Sequence, residues 1–106
     1  MSYKVVYSPI AKEDLKDVYH DVFSVCLDND QTRTYINELL AKIENRNDFP
    51  NSGTPLYFND RFTGYRYVFY KAYIIFYKTA KDEIYVDRIL YAKSDYMKKL
   101  SLSEEE

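Results

Sequence analysis

The sequence has one cysteine, one histidine, two glycines, three prolines and no tryptophan. The scarce residue types exclude several classes of function. A single thiol, Cys26, cannot form an internal disulfide, which fits a reducing compartment and excludes a disulfide-stapled scaffold. His20 has no metal-ligating partner at useful spacing: it and Cys26 fall on different faces of a helix. His20 therefore reads as a surface helix residue and Cys26 as a small hydrophobe rather than an activated nucleophile. No metal site and no cofactor are expected. No run approaches the ~18–20 apolar residues of a membrane span. The densest one, Tyr73-Ile74-Ile75-Phe76-Tyr77, has the length of a strand. The N-terminus lacks the basic-then-apolar order of a signal peptide. A cytoplasmic protein without membrane contact is expected.

What is abundant is tyrosine: 13, beside 6 phenylalanines, in 106 residues. That length makes one domain, able to hide roughly 60–70% of its unfolded surface. Tyrosine buries its ring and keeps its hydroxyl wet, which suits half-buried sheet faces and partner interfaces. Net charge is −2, unevenly spread. Residues 1–50 carry six Lys/Arg and nine Asp/Glu. The rest carry nine and eight, three of the eight being Glu104, Glu105 and Glu106. The first half is acidic and the second mildly basic, which does not read as a strongly basic nucleic-acid binder.

Residues 3–7 read as a first strand from their β-branched and aromatic content. Ser8-Pro9 then opens a helix, with Ser8 as cap, Pro9 at the first helical position, and Glu13 and Asp14 near the positive end of the helix dipole. Ala11, Leu15, Val18, Val22 and Val25 form one helical stripe, so the helix runs from 9 to 25 or 26. Asp28-Asn29-Asp30 breaks it, and a second helix follows over residues 31–46, with a stripe of Ile36, Leu39, Leu40 and Ile43. So short a link makes the two an αα-hairpin. Residues 47–55 are loop, rich in breakers. Residues 56–58 are a candidate short strand, and strands are expected at 65–70, 73–79 and 84–92, with a tight connection at Lys71-Ala72. In the last strand Ile89 and Leu90 are adjacent, so either both faces are buried or a bulge near Asp87-Arg88 shifts the phase. Ser94 caps one or two helical turns over 94–100, and 101–106 is a disordered acidic tail. The expected fold is α+β: β-α-α-β-β-β, an antiparallel twisted sheet with the helical hairpin packed on one face, a single domain over residues 1–100.

Several segments resemble the RelE/ParE superfamily, the toxins of type II toxin–antitoxin systems, among them plasmid stabilisation proteins. Tyr3-Lys4-Val5-Val6-Tyr7-Ser8-Pro9, with Ala11 and Asp14-Leu15, resembles the first strand and capped helix of that family. Phe49-Pro50-Asn51-Ser52-Gly53-Thr54-Pro55-Leu56 is similar to its F-P-x-S-G-x-P-L loop, Tyr65-Arg66 to its strand-head arginine, and Tyr73-Ile74-Ile75-Phe76-Tyr77 to its Y-x-I-x-Y strand. Arg88-Ile89-Leu90-Tyr91-Ala92-Lys93-Ser94-Asp95 resembles its closing R-V-L-H-x-x-R-D segment. The resemblance implies a toxin that inhibits growth and is neutralised by a cognate antitoxin, alone or in a hetero-oligomer, with a homodimer as another possibility. It implies one of two targets. ParE-like members poison DNA gyrase, and RelE-like members are mRNA interferases acting on the ribosome. The long hairpin, the loop and the Y-x-I-x-Y strand lean towards ParE.

RNA cleavage needs a base for the 2′-hydroxyl, cations for the phosphate and an acid for the leaving oxygen. The cations on offer are Arg66, Arg88 and Lys93, with Lys71 further out. The acid/base groups are Tyr91, Tyr96 and Asp95. Tyr65, Lys71, Lys93 and Asp95 are binding candidates around them. Tyr91 stands where the family often has histidine, and a tyrosine, with a reference pKa of about 10, is a poor base at neutral pH. Each residue also has a plain structural explanation. Arg66 can pair with Asp87 or Asp95 and Arg88 with Asp60. Tyr91 and Tyr96 can pack at a rim, and Asp95 can cap the last helix. The favoured reading is a ParE-like toxin acting by binding, with an antitoxin tail lying across the sheet and hairpin on tyrosine and aliphatic anchors. A ribosome-dependent endoribonuclease and a degenerate, non-toxic member are the alternatives.

Overall fold

The computed structural model describes residues 3–46 and 49–100. β1 (Lys4–Tyr7) leads directly into α1 (Pro9–Cys26). Ser8 caps that helix: its backbone is extended and its Oγ accepts the Ala11 N–H at 2.9 Å, with Pro9 at the first turn. α1 ends at Leu27, which takes a left-handed φ of 55° and donates its N–H to Phe23 O at 2.8 Å. α2 (Asn29–Glu44) starts two residues earlier than the turn chemistry suggests. The cap is Asp28, whose carboxylate accepts the Gln31 N–H at 3.0 Å. The two helices pack as the expected hairpin.

A short 3₁₀ turn at Pro50–Ser52 precedes β2 (Thr54–Phe58), β3 (Arg61–Tyr70), β4 (Tyr73–Ala80), β5 (Glu83–Tyr91) and the single-turn α3 (Tyr96–Lys99). All five strands form one sheet in the order β1-β5-β4-β3-β2. The meander from β2 to β5 is antiparallel, whereas β1 joins the edge in parallel, from Lys4 opposite Glu83 to Tyr7 opposite Val86. β3 begins four residues before the expected start. Asn59 and Asp60 both adopt left-handed φ, 53° and 64°, which makes the two-residue turn that matches hairpin twist. Asn and Asp tolerate that region better than other L-residues. Pairing then slips between Pro55 and Tyr57, and the extra residues of β3 include Gly64 at φ 93°, a value natural only to glycine. In β5, Phe76 faces Arg88 while Tyr77 faces Val86, so Asp87 is the bulged residue. Both expected readings hold: the bulge shifts the phase so that Ile89 joins Val86 on the helix side, and Leu90 is buried on the opposite face.

β4 is the centre of the protein. Tyr73, Ile75 and Tyr77 join Val18, Leu39, Ile43, Val68 and Val86 beneath the helices. Ile74 and Phe76 meet Leu56, Tyr65, Leu90 and Leu100 on the opposite face, beside α3. Both faces of this strand are buried, which is why it reads as an unbroken apolar run rather than an alternation. On α1 the predicted stripe is buried at Ala11 and Val18 and half-buried at Leu15 and Val22, but Val25 is 84% exposed. α3 starts later than expected. Ser94 Oγ donates to Tyr91 O at 2.7 Å instead of capping, and Asp95 holds the cap position without a side-chain capping bond. Part of the expected loop, residues 47–48, and the acidic tail, 101–106, lie outside the described residues.

Candidate functional site

The bulge in β5 falls just past the point where β1 ends, so the outer edge of β5 is open there and α1 closes it with side chains. Ser8 donates its N–H to Val86 O at 2.9 Å and its hydroxyl to Asp87 O at 2.8 Å. Asp14, buried on α1, accepts the Ile89 N–H at 3.0 Å, a bond that a neighbouring strand would otherwise make. The same carboxylate holds Arg88 in a two-pronged pair, Nε at 2.8 Å and Nη2 at 3.1 Å. Arg88 Nη1 reaches on to Lys99 O at 3.4 Å, tying α3 to the same knot. The bond to Asp14 raises the Arg88 pKa further above its ordinary value. The expected Arg88–Asp60 pair does not form, because Asp60 sits in the distant β2–β3 turn.

Arg66 stands apart from Arg88. It lies opposite Tyr77 on β3, with β4 between it and β5. Its Nη1 donates to Asn51 O and Gly53 O, both at 3.2 Å, and its guanidinium lies 5.3 Å from the centre of the Phe62 ring. The expected pairing with Asp87 or Asp95 is therefore replaced by carbonyls of the Pro50–Ser52 turn. Tyr91 faces Tyr73 in register and packs edge-on against it at 5.9 Å, remaining 46% exposed. Tyr96 is on the other face of the sheet, against Phe76 at 5.3 Å. Lys71, with a left-handed φ of 52°, places its ammonium 5.4 Å from the Tyr35 and Tyr70 rings. Tyr65 donates to Asp87 Oδ2 at 2.9 Å beneath the Lys78 ammonium. Lys93 and Asp95 are exposed beyond the end of β5. Of the nuclease candidates, Arg88 and Tyr91 line one narrow cleft of about 190 Å³ with Asp14, Asp17, Asp21 and Lys99. Arg66 and Tyr96 are not part of it.

Sequence reading missed two parts of this arrangement. Asp14 is more than a charge at the helix dipole: it lies three residues after Ala11 and four before Val18, on the buried stripe itself, and that spacing is the signal for its burial. The second is the use made of the tyrosines. Tyr7 donates to Glu44 at 2.7 Å, Tyr70 to Glu38 at 2.6 Å and Tyr73 to Asp21 at 3.4 Å. The acidic helices are thus acceptors for a sheet rich in hydroxyls. Burial first, and then these carboxylates, push Tyr70 and Tyr73 up to about 12, as burial and Asp87 do for Tyr65. An unfolded tyrosine titrates near 10. The stabilising protonated forms are fully present below that pH, and stability is lost as pH rises through the folded values. The urea midpoint should hold between pH 8 and 9.5 and fall between roughly 10 and 12. Tyr70→Phe combined with Tyr73→Phe should flatten the fall, and an equally steep one in that double variant would contradict the assignment.

A family model described as the ParE toxin of type II toxin-antitoxin system, parDE, matches residues 5–96. The chain belongs to the ParE toxin family. The matched stretch runs from β1 to the first residue of α3, so it takes in the hairpin, the whole meander and the Asp14–Arg88 knot. The ParE fold is also seen in a chain of the chromosomal ParDE TA system from P. aeruginosa, with a TM-score of 0.70 at 15% identity over 87% of this chain and 98% of that one. A search of curated proteins finds no match. Among the described residues no helix is long and apolar enough to cross a membrane.

Proposed function

We propose that this ParE-family chain arrests growth in the cytoplasm by binding DNA gyrase, without covalent chemistry of its own. A cognate antitoxin encoded beside it holds it inactive in a hetero-oligomer. The family match over residues 5–96 brings the toxin–antitoxin context. The observation that favours binding over cleavage is the state of the two arginines. The Arg88 guanidinium is engaged on both prongs by buried Asp14, and Arg66 is held by two carbonyls on another part of the sheet. A phosphate at Arg88 would have to displace a charge-assisted, two-pronged bond, the strong kind. No imidazole stands beside either arginine, since the one histidine, His20, is exposed on α1.

One observation favours the nuclease reading: Arg88, Tyr91 and Lys99 share a cleft. Induced expression of the chain alone separates the possibilities. Growth arrest with broken DNA and intact mRNA, relieved by co-expressing the product of the adjacent reading frame, is the expected outcome. Arrest with codon-bounded mRNA cuts that Tyr91→Phe abolishes would mean an mRNA interferase. Unimpaired growth would mean a non-toxic member of the family.

A further inference from the structure

Eight large apolar side chains stay exposed among the described residues, and three of them, Phe49, Tyr57 and Phe62, fall on one strip of surface at the β2 end of the sheet. A chain of contacts joins them. Tyr57 lies opposite Phe62 in register, ring to ring at 5.9 Å. Phe62 carries the Arg66 guanidinium over its face. Arg66 Nη1 reaches the Asn51 and Gly53 carbonyls, and Ser52 between them accepts from Arg46. Phe49 opens the same turn and donates its N–H to Arg46 O at 2.9 Å. An open hollow of about 390 Å³ runs along the turn, lined by Phe49, Pro50, Asn51 and Ser52. Two features set this strip apart from ordinary surface. It is rigid, because the buried Tyr77 hydroxyl ties both Gly53 and Pro50 to the central strand. Rings and guanidiniums are therefore in place before a partner arrives, which lowers the cost of binding. Its charge is also of one sign. Among the described residues neither Arg46 nor Arg66 makes an ion pair, and Arg66 uses only one of its nitrogens on the turn.

We propose that this strip is the surface with which the chain grips its protein target, and that it fits an acidic patch there. Carboxylates of the target are set against the Arg46 and Arg66 guanidiniums, and apolar side chains beside them sit on Phe49, Tyr57 and Phe62. The inference rests on the reading that the chain acts by binding gyrase, and adds the surface used and the chemistry it asks of that enzyme. Aromatic residues and arginine are the types enriched where interfaces concentrate their energy. A guanidinium meeting a carboxylate makes the strong, charge-assisted kind of bond. A second copy of the chain fits poorly, since a two-fold contact would bring Arg46 and Arg66 against their own counterparts. Nucleic acid fits less well than an acidic protein surface, because the chain as a whole carries a net charge of −2 and would repel a long polyanion.

The test is calorimetric titration of purified gyrase with the purified chain. Phe49→Asp with Tyr57→Asp should weaken binding about 30-fold or more, as loss of central anchors does. Arg66→Gln should weaken it about 10-fold, and less at high salt. Phe69→Asp, the same kind of change at an exposed ring on the opposite face of β3, should leave it nearly unaltered. The aspartate variants should melt with the parent, as expected for such exposed side chains. If the parent chain binds gyrase and the Phe49, Tyr57 double variant binds equally well, the strip is not the contact, while the gyrase reading stands. If the parent chain does not bind gyrase at all, that reading fails and the strip assignment goes with it. Binding of single-stranded DNA alone by the parent, lost in the double variant, would give the strip to nucleic acid and overturn the proposal.

Discussion

Replacing Asp14 with alanine should destabilise the protein by about 3 kcal/mol, the lower end of what breaking a buried ion pair costs. The lower end applies because the Arg88 side chain keeps 20% of its exposure and retains the Lys99 carbonyl. The alanine variant leaves two groups unsatisfied, a mostly buried guanidinium and the Ile89 N–H. For a domain of this size each kcal/mol shifts the melting temperature by roughly 4–8 °C, so a fall of at least about 12 °C is expected. Asp14→Asn keeps an acceptor for Ile89 and should lose less. Arg88→Ala combined with Asp14→Ala should lose clearly less than the sum of the single changes, since the two share one interaction. A melting temperature within 2–3 °C of the parent for Asp14→Ala, well under 1 kcal/mol, would mean that α1 is held to β5 by apolar packing alone.

Gly53→Ala should cost about 2–4 kcal/mol, from overpacking together with a lost buried hydrogen bond. Gly53 has an ordinary φ of −72°, so its backbone makes no demand for glycine. The demand is spatial. An added Cβ would fall on the Tyr77 hydroxyl and 2.9 Å from the carbons of its ring. Tyr77 is fully buried and cannot give way. Its hydroxyl accepts the Gly53 N–H at 2.9 Å and donates to Pro50 O at 2.8 Å, so the Pro50–Ser52 turn is latched to the central strand through one oxygen. Arg66 reads the same turn from outside, and Arg46 donates to Ser52 Oγ at 2.7 Å. Tyr77→Phe removes the nearest obstructing atom and the latch but leaves the ring carbons at 2.9 Å, so Gly53→Ala should cost less in that background and still cost something. Chemical denaturation of the four proteins gives the coupling, and strict additivity would show that the steric account is wrong.

Much of the fold was legible because local chemistry and long-range packing agree. Ser8-Pro9 caps and starts α1, the stripes of both helices face the sheet, and the buried strand β4 reads as an apolar run. The phase break at Asp87-Arg88 was visible as a problem in the alternation, and the register resolves it as a bulge. Two strand features were not visible. The Asn59-Asp60 hairpin lacks the usual glycine, and β1 pairs in parallel with β5, two helices and three strands further along the chain, a pairing with no local signature. Site residues were less legible than the fold. Arg66, Arg88 and Tyr91 were rightly placed on β3 and β5. Their partners depend on which elements meet in space: Asp14 arrives from α1 and the Asn51 and Gly53 carbonyls from the turn. The acidic character of the first half, which composition shows without naming its partners, is in part a set of acceptors for Tyr7, Tyr70, Tyr73 and Arg88.

Gyrase activity measured with purified components tests most directly whether the chain binds a target rather than breaking a bond. Relaxed plasmid, gyrase and ATP are mixed with increasing amounts of this chain, with and without the product of the adjacent reading frame. The expected result is loss of supercoiling with cleaved plasmid trapped on the enzyme, both reversed when the second protein is present in equal amount. Undisturbed supercoiling at every ratio of chain to gyrase, alongside cutting of ribosome-bound mRNA by the same preparation, would contradict it.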